Sequence, residues 1–225
     1  MQIDIMIGVG PDDPQTAVVT LESIVLDCDV DCRLVVLMHG ATRQNFIDLD
    51  EFLAARAAVE TQDTSEGAVE VRRKAFDWHI IHVPQKLSFT GVISHLAAKM
   101  VCKLAVLVEP GLFMCDEKWF GKLQRPFTLD PHTMLTFAEG FTNSNTPPVK
   151  PLPRVPCSGP LIMGSLDFSE ILASCVGGRK GFAEDLRKIV KKRGGTRWIV
   201  NSIRHEMMRD ECPDQLEDQQ TVPFA

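Results

Sequence analysis

An α/β fold is what this sequence predicts, with a mainly parallel, twisted sheet and helices on both of its faces. Short apolar runs of strand length recur through the first half, and between them lie segments with apolar residues at helical spacing. The resulting order is βαβαβαβ, and strands joined by helix-length crossovers pair in parallel. Composition permits the core such a sheet needs: 44% of the 225 residues are hydrophobic and 24% are charged, which excludes a disordered chain and a coiled coil. The length suits one domain, with residues 1–205 as the folded unit and residues 206–225 as an acidic C-terminal extension.

Ile3 to Val9 is an apolar run that ends in Gly8, Gly10 and Pro11, as a buried strand does on entering a loop. Thr16 to Leu26 then places Val18, Leu21, Ile24 and Val25 at helical spacing. Arg33 to Met38 is a second strand, stopped by His39-Gly40, and Phe46 to Val59, rich in Ala and Leu, is the next helix. The polar stretch from Glu60 to Gly67 reads as a loop, and Trp78 to Val83 as a third strand. Ser88 is placed to cap a helix that runs to Cys102, and Leu104 to Val108 is a fourth strand. In the second half, Asp116 can cap a short helix from Glu117 to Leu123, and Thr133 to Ala138 is a strand. Asn143 to Pro156 carries five prolines and disfavours regular structure. Leu161 to Met163 is a short strand, Ser165 opens a helix through Leu172, and Phe182 to Lys192 is a helix ended by Gly194-Gly195. Arg197 to Ile203 is the last strand.

The formal net charge of -6 argues against a nucleic-acid-binding surface. Most of that charge is terminal, because Glu206 to Ala225 holds six acids against Arg209 alone. Seven cysteines occur with no CxxC, no Cys/His zinc spacing and no secretory leader, so reduced thiols in a cytoplasmic protein are expected. Val92 to Val108 is the most apolar long stretch, yet it carries His95, Lys99 and Lys103 and divides into a helix and a strand, which argues against a membrane span. Arg179, Lys180, Arg187, Lys188, Lys191, Lys192, Arg193 and Arg197 cluster within nineteen residues, and suit a phosphate-bearing ligand or a solvated helix face alike.

Ordinary phosphate loops fit poorly: Gly8-Val9-Gly10 lacks the next glycine of a dinucleotide fingerprint, and no GxxxxGK[ST] occurs. Three other patterns stand out. One is Ser88-Phe89-Thr90-Gly91-Val92-Ile93-Ser94-His95-Leu96-Ala97-Ala98, feeding the strand to Val108 and then Glu109-Pro110-Gly111. Another is Phe182-Ala183-Glu184-Asp185-Leu186, followed by Lys191-Lys192-Arg193-Gly194-Gly195. The last is Ile199-Val200-Asn201-Ser202-Ile203-Arg204-His205. With the order of elements, these resemble the nucleotide-sugar-using glycosyltransferases of the GT-A (Rossmann-like) fold, family 2 in particular, over residues 1 to 205.

In that family a similar helix and strand lead to an Asp-x-Asp motif whose carboxylates hold a divalent metal against the sugar donor's pyrophosphate. The resemblance implies Glu109 in place of the first acid and Mg²⁺ or Mn²⁺ as the ion, since hard oxygen ligands suit both. Gly111 stands where the second acid would be, so the metal motif is degenerate, and Asp116 can serve as a helix cap or reach the ion. The Glu-Asp pair implies Asp185 as the base that accepts the acceptor's hydroxyl proton, with Glu184 orienting it. Two acids early in a helix also serve the helix dipole. The late histidine implies His205 near the metal or the diphosphate, although an exposed, hydrogen-bonded His205 fits the pattern equally. His79, His82 and His95 are read as structural. Donor binding falls to Gly10, Asp12, His39 and Gly91. Pro11-Asp12-Asp13-Pro14 is also an ordinary turn, and Met38-His39-Gly40-Ala41-Thr42 replaces the acidic turn with which relatives read the base.

The function implied is a hexosyltransferase-like glycosyltransferase that moves a sugar from a nucleoside diphosphate sugar donor to a glycan or lipid-linked acceptor, with inversion. A noncatalytic GT-A-like binding protein is the rival, raised by the missing second acid. A nucleotidyltransferase ranks below both, because its Gly-rich, Lys/Arg-bearing loop near the first strand is absent. No nucleic-acid partner is expected.

Overall fold

The computed structural model describes residues 2–11, 14–25, 32–57, 60–64, 67–71, 76–116, 118–138, 161–165, 167–200, 203 and 205–207. In chain order they form β1 (Ile3–Val9), α1 (Pro14–Val25), β2 (Cys32–His39), α2 (Arg43–Ala57), β3 (Glu60–Thr64), β4 (Gly67–Val71), β5 (Asp77–Val83), α3 (Phe89–Ala97), β6 (Ala105–Val108), β7 (Leu112–Met114), α4 (Trp119–Leu129), β8 (Thr133–Ala138), β9 (Leu161–Gly164), α5 (Phe168–Ala173), α6 (Gly178–Lys192), β10 (Thr196–Val200) and β11 (His205–Met207). Asn143 to Pro156, most of the acidic extension and Asp12 lie outside the described residues.

Among the described residues, seven strands make one sheet in the order β10-β8-β9-β6-β1-β2-β5. β1 pairs in parallel with β2 and β6, β2 with β5, and β8 with β10, as the crossovers require. Only β9 runs antiparallel, between β6 and β8. In the centre Ile5 lies opposite Leu34 on one side and Val106 on the other. Both faces are covered, which is why the strands read as continuous apolar runs. Ile5, Ile7, Leu34 and Val36 meet α1, α2 and α4 through Leu21, Leu53 and Trp119. Met6, Val35 and Leu37 meet α3, α5 and α6 through Leu96, Phe168, Phe182 and Leu186. α3 lies so close on β1 that a Cβ at Gly8 would fall 2.4 Å from Val92 Cγ1, so glycine is required there.

Several boundaries differ from expectation. Ser88 does cap α3, its Oγ accepting from Gly91 N at 3.2 Å, but the helix ends at Ala97 and not at Cys102. Asp4 is the reason. Fully buried, it accepts from Val101 N at 2.7 Å and Cys102 N at 2.8 Å, taking the N–H groups a longer helix would use. Its other oxygen accepts from Arg33 Nε at 2.7 Å, and Arg33 donates a further bond to Lys99 O at 2.5 Å. Burial alone would raise the Asp4 carboxyl, but the Arg33 guanidinium and the two backbone donors hold it below its ordinary value of 3.8. Burial and Asp4 push the Cys102 thiol up to about 11, so it stays protonated at neutral pH.

The polar stretch expected as a loop is a hairpin: β3 and β4 pair antiparallel in a small sheet of their own, from Glu60 opposite Val71 to Thr64 opposite Gly67. No apolar alternation in Glu60–Thr64 announces it. α4 starts at Trp119 and continues through the buried Pro126 to Leu129, further than the expected Leu123. α5 begins at Phe168, and α6 begins at Gly178, a turn earlier than Phe182. β10 stops at Val200, and β11 pairs antiparallel with the unforeseen β7. Among the described residues no helix is long and apolar enough to cross a membrane.

Candidate functional site

β1, β2, β5 and β6 all end at one edge of the sheet, at Val9, His39, Val83 and Val108. From β1 the chain adds β2 and β5 on one side and then crosses to place β6 on the other. That reversal opens a crevice between the ends of β1 and β6, where open α/β sheets take their ligands. Gly10, which is buried, leaves β1 at this point, and Glu109 leaves β6, half-buried.

The segment after Glu109 is held from beneath by two hydroxyls on α1. Gly111 N donates to Thr20 Oγ1 at 2.8 Å and Met114 N donates to Ser23 Oγ at 3.0 Å. Each hydroxyl passes its own proton to a carbonyl of its helix, Thr16 O at 2.9 Å and Thr20 O at 3.0 Å, so both are satisfied although buried. Gly111 itself has φ of 90°, a left-handed conformation that side chains strain to adopt. The absent second acid is therefore a property of the backbone here as well as of the sequence. Asp116 takes the structural role: its carboxylate accepts from Lys118 N at 3.1 Å and meets Lys122 Nζ at 2.5 Å, fixing the entry to α4.

Among the described residues no three of His, Cys, Asp and Glu gather into a metal-holding group. Among the described residues the hard carboxylate at this edge is Glu109, compatible with an ion that arrives together with diphosphate oxygens. His205 opens a strand rather than ending one, contrary to the sequence pattern, and only its backbone is described. It pairs with Met114, while Met207 pairs with Leu112, so His205 lies at the end of the ribbon away from Glu109.

His39 ends β2 and is 9% exposed. Leu87 N donates to its Nδ1 at 3.1 Å, and the next residue, Gly40, donates its N–H to Val83 O at 2.9 Å. The loop from Pro84 to Ser88 is thus clasped to the end of β2, closely enough that a Cβ at Gly40 would lie 3.3 Å from Lys86 Cα. Burial first, and then the Lys86 charge, hold His39 below its ordinary value of 6.5. Gly91 stands at the start of α3 with its N–H given to the Ser88 cap.

Phe182, in the first half of α6, packs edge-on against Phe89, the first residue of α3, with centroids 5.1 Å apart. This contact brings α6 to the end of the sheet where β5 delivers the chain into α3. One turn on, Asp185 Oδ2 accepts from Val176 N at 2.9 Å and Gly177 N at 2.7 Å, holding the turn that precedes the helix. The apolar side chain of Val176 is exposed in that turn. Glu184 is bound by its own helix, with Arg187 Nε at 2.7 Å and Lys188 Nζ at 3.7 Å, and Arg187 chiefly holds its carboxyl below the ordinary value. Of the remaining histidines, His82 Nε2 bonds Ala41 O at 3.1 Å and His95 Nδ1 bonds Gly91 O at 2.8 Å, local contacts that suit structural roles.

Thr20, Ser23, Lys86 and the Val176-Gly177 turn were not singled out from the sequence. For Thr20 and Ser23 a signal exists: two hydroxyls three apart interrupt the apolar stripe of Ala17, Leu21 and Ile24, and buried hydroxyls need partners. For Lys86 and the turn no such mark exists, because Lys86 acts on His39 only through the folded loop and the turn gives Asp185 backbone N–H groups, which every residue type but proline carries.

No protein-family model matches the chain, and no curated protein matches it in sequence. Solved structures do match in shape. Glucosyl-3-phosphoglycerate synthase from Mycobacterium tuberculosis, in complex with Mn²⁺, UDP-glucose and phosphoglyceric acid, aligns with a TM-score of 0.60 at 16% identity over 96% of this chain and 74% of its own. The same synthase with Mg²⁺ and UDP aligns with a TM-score of 0.59 at 14% identity, with the same coverage. A mannosyltransferase from Pyrobaculum calidifontis, in complex with GDP-Man and Mn²⁺, gives 0.61 at 8% identity over 89% of this chain and 55% of its own. The fold is GT-A. At these identities the likeness is one of architecture, and within a GT-A sheet the crevice between β1 and β6, the clasp at His39 and the turn at Asp185 all lie toward one end.

Proposed function

We propose that this chain is an inverting, family-2-like glycosyltransferase that binds a nucleoside diphosphate sugar at the carboxyl edge of its sheet and passes the sugar to an acceptor hydroxyl. The observation that carries this reading is the GT-A sheet with Glu109 at its switch point and Asp185 borne toward the same end by the Phe182–Phe89 contact. The acceptor oxygen bonds to the anomeric carbon as the bond from that carbon to the diphosphate breaks, and the electron pair leaves with the diphosphate. Asp185 takes the acceptor's proton. Its Oδ2 is occupied by the turn, which orients the carboxylate and leaves Oδ1 for the transfer. Complexes of the similar synthase and mannosyltransferase with UDP-glucose and GDP-Man support the donor class. Glu109 would be the protein's oxygen toward Mg²⁺ or Mn²⁺, and such an ion would offset charge on the departing diphosphate. A glycan or lipid-linked hydroxyl fits the acceptor role.

Donor binding and slow donor hydrolysis across a panel of UDP- and GDP-sugars, with Mn²⁺, test this reading. At least one donor should bind saturably and release its nucleoside diphosphate, and Glu109→Ala should weaken the metal-dependent part of binding. Failure of every donor to bind would reject the proposal. The second reading, a noncatalytic binding protein, draws on the left-handed Gly111 and the Asp116–Lys122 pair, which leave Glu109 as the acid of the motif. Binding with no turnover would select it.

A further inference from the structure

We propose that the outer face of α6 is a docking surface for an anionic lipid bilayer, met along the length of the helix. The inference goes beyond the transfer reading and stands without it, because it is drawn from charge and placement. α6 runs for 15 residues, about 22 Å at 1.5 Å per residue. Phe182, Leu186 and Val190 are buried and Ile189 is half-buried against the core, so the apolar stripe of the helix is spent on the fold. The stripe left outside holds Arg187, Lys188, Lys191 and Lys192, all exposed. Glu184 meets Arg187 and Lys188 at one end of it, and Arg193 Nη1 donates to Glu170 Oε2 of α5 at 3.1 Å. Among the described residues Lys191, Lys192 and Arg197 have no ion-pair partner.

Helix stability alone does not ask for this row. Cations in the last turn offset the helix dipole, which accounts for Lys191 and Lys192. Arg187 and Lys188 stand a turn earlier, and Lys188 lies three and four residues from Lys191 and Lys192, spacings at which like charges repel. Arg197 extends the row onto β10: Val200 packs on the α1, α2 and α4 side, so alternation along the strand turns Arg197 to the α6 side. α3, which packs beside α6, carries no carboxylate, whereas across the sheet α2 exposes Asp48, Asp50 and Glu51. A chain of net charge -6 therefore gathers cations on one face, and a negatively charged plane draws that face toward itself. The row lies on the convex outside of a helix, and its lysines carry their charges on long stems, which suits a flat headgroup layer better than a compact anion. It starts beside Asp185, in whose turn Val176 is 83% exposed, an apolar side chain able to enter that layer. Contact along the row brings the Asp185 turn near the headgroups, which accords with a lipid-linked acceptor.

Co-sedimentation of the full chain with vesicles tests the proposal, using phosphatidylcholine alone and an equal mixture of phosphatidylcholine and phosphatidylserine. The chain should bind the mixed vesicles and not the neutral ones. Raising the salt from about 0.1 M to about 1 M shortens the screening length from about 10 Å to about 3 Å and should release it. Lys191→Gln with Lys192→Gln should weaken binding by about 25-fold, at about fivefold for each charge taken from the lipid surface, and leave the thermal midpoint near wild type because both side chains are exposed. Arg43→Gln with Arg125→Gln removes the same charge from exposed positions on α2 and α4, and should leave binding nearly unchanged. Equal loss in the two pairs would overturn the docking face, as would binding to both kinds of vesicle alike or to neither. Retention on an acidic polysaccharide without binding to the mixed vesicles would give the face to an acidic glycan and overturn the lipid assignment. Donor titration without vesicles reads the transfer proposal separately, so either can fall alone.

Discussion

Asp185 accepts two backbone N–H groups on a single oxygen, and this makes its two candidate roles separable. An asparagine keeps one oxygen that can receive the same two donors, so Asp185→Asn should hold the turn and leave the thermal midpoint close to wild type. The proton-accepting carboxylate is gone, and transfer per folded molecule should drop by about 100-fold or more. Measured rate and melting temperature together decide, since unchanged turnover would confine Asp185 to the turn. Its candidacy was legible in the Phe182-to-Gly195 pattern, whereas its partners were not: Val176 and Gly177 precede it by two helical turns and carry no side-chain mark of the contact.

At the scale of elements, α1 and the segment around β7 behave as one unit, joined through Thr20 and Ser23. Thr20→Val keeps the shape of the side chain and strands the Gly111 N–H beneath the strand end. Stability should fall by about 1–3 kcal/mol in denaturant unfolding, the usual cost of a buried donor without a partner, while Thr20→Ser should recover most of it. The strands of the central sheet were legible because burial on both faces writes itself as unbroken apolar runs, as in Ile3 to Val9 and Arg33 to Met38. The hairpin of β3 and β4 was hidden because its first strand is polar throughout, and the end of α3 because it is set by Asp4, a residue nearly a hundred positions away. β7 and β11 are each three residues long and exist by pairing with one another, which no local pattern encodes.

For the whole molecule two buried groups held below their ordinary values set an acid response. His39 and Asp4 both lie below their ordinary values of 6.5 and 3.8 when folded, so in each window the unfolded chain binds more protons and stability rises with pH. The contribution of each is present above its unfolded value and is lost as pH falls through the folded one. Thermal midpoints should therefore decline on acidification first below pH 6.5 and again below pH 3.8, and His39→Asn should abolish the first decline. The Asp4 network also bears on how the protein could be altered by evolution or design. It clamps the amino ends of β1 and β2, about 20 Å along the strand from Gly10 at 3.3 Å per residue. Substitutions that far apart, with no shared partners, add in their effects. Stability gained around the clamp is thus free to offset what is lost in remodelling the opposite edge, and new donor or acceptor preferences become accessible in a background that tolerates them.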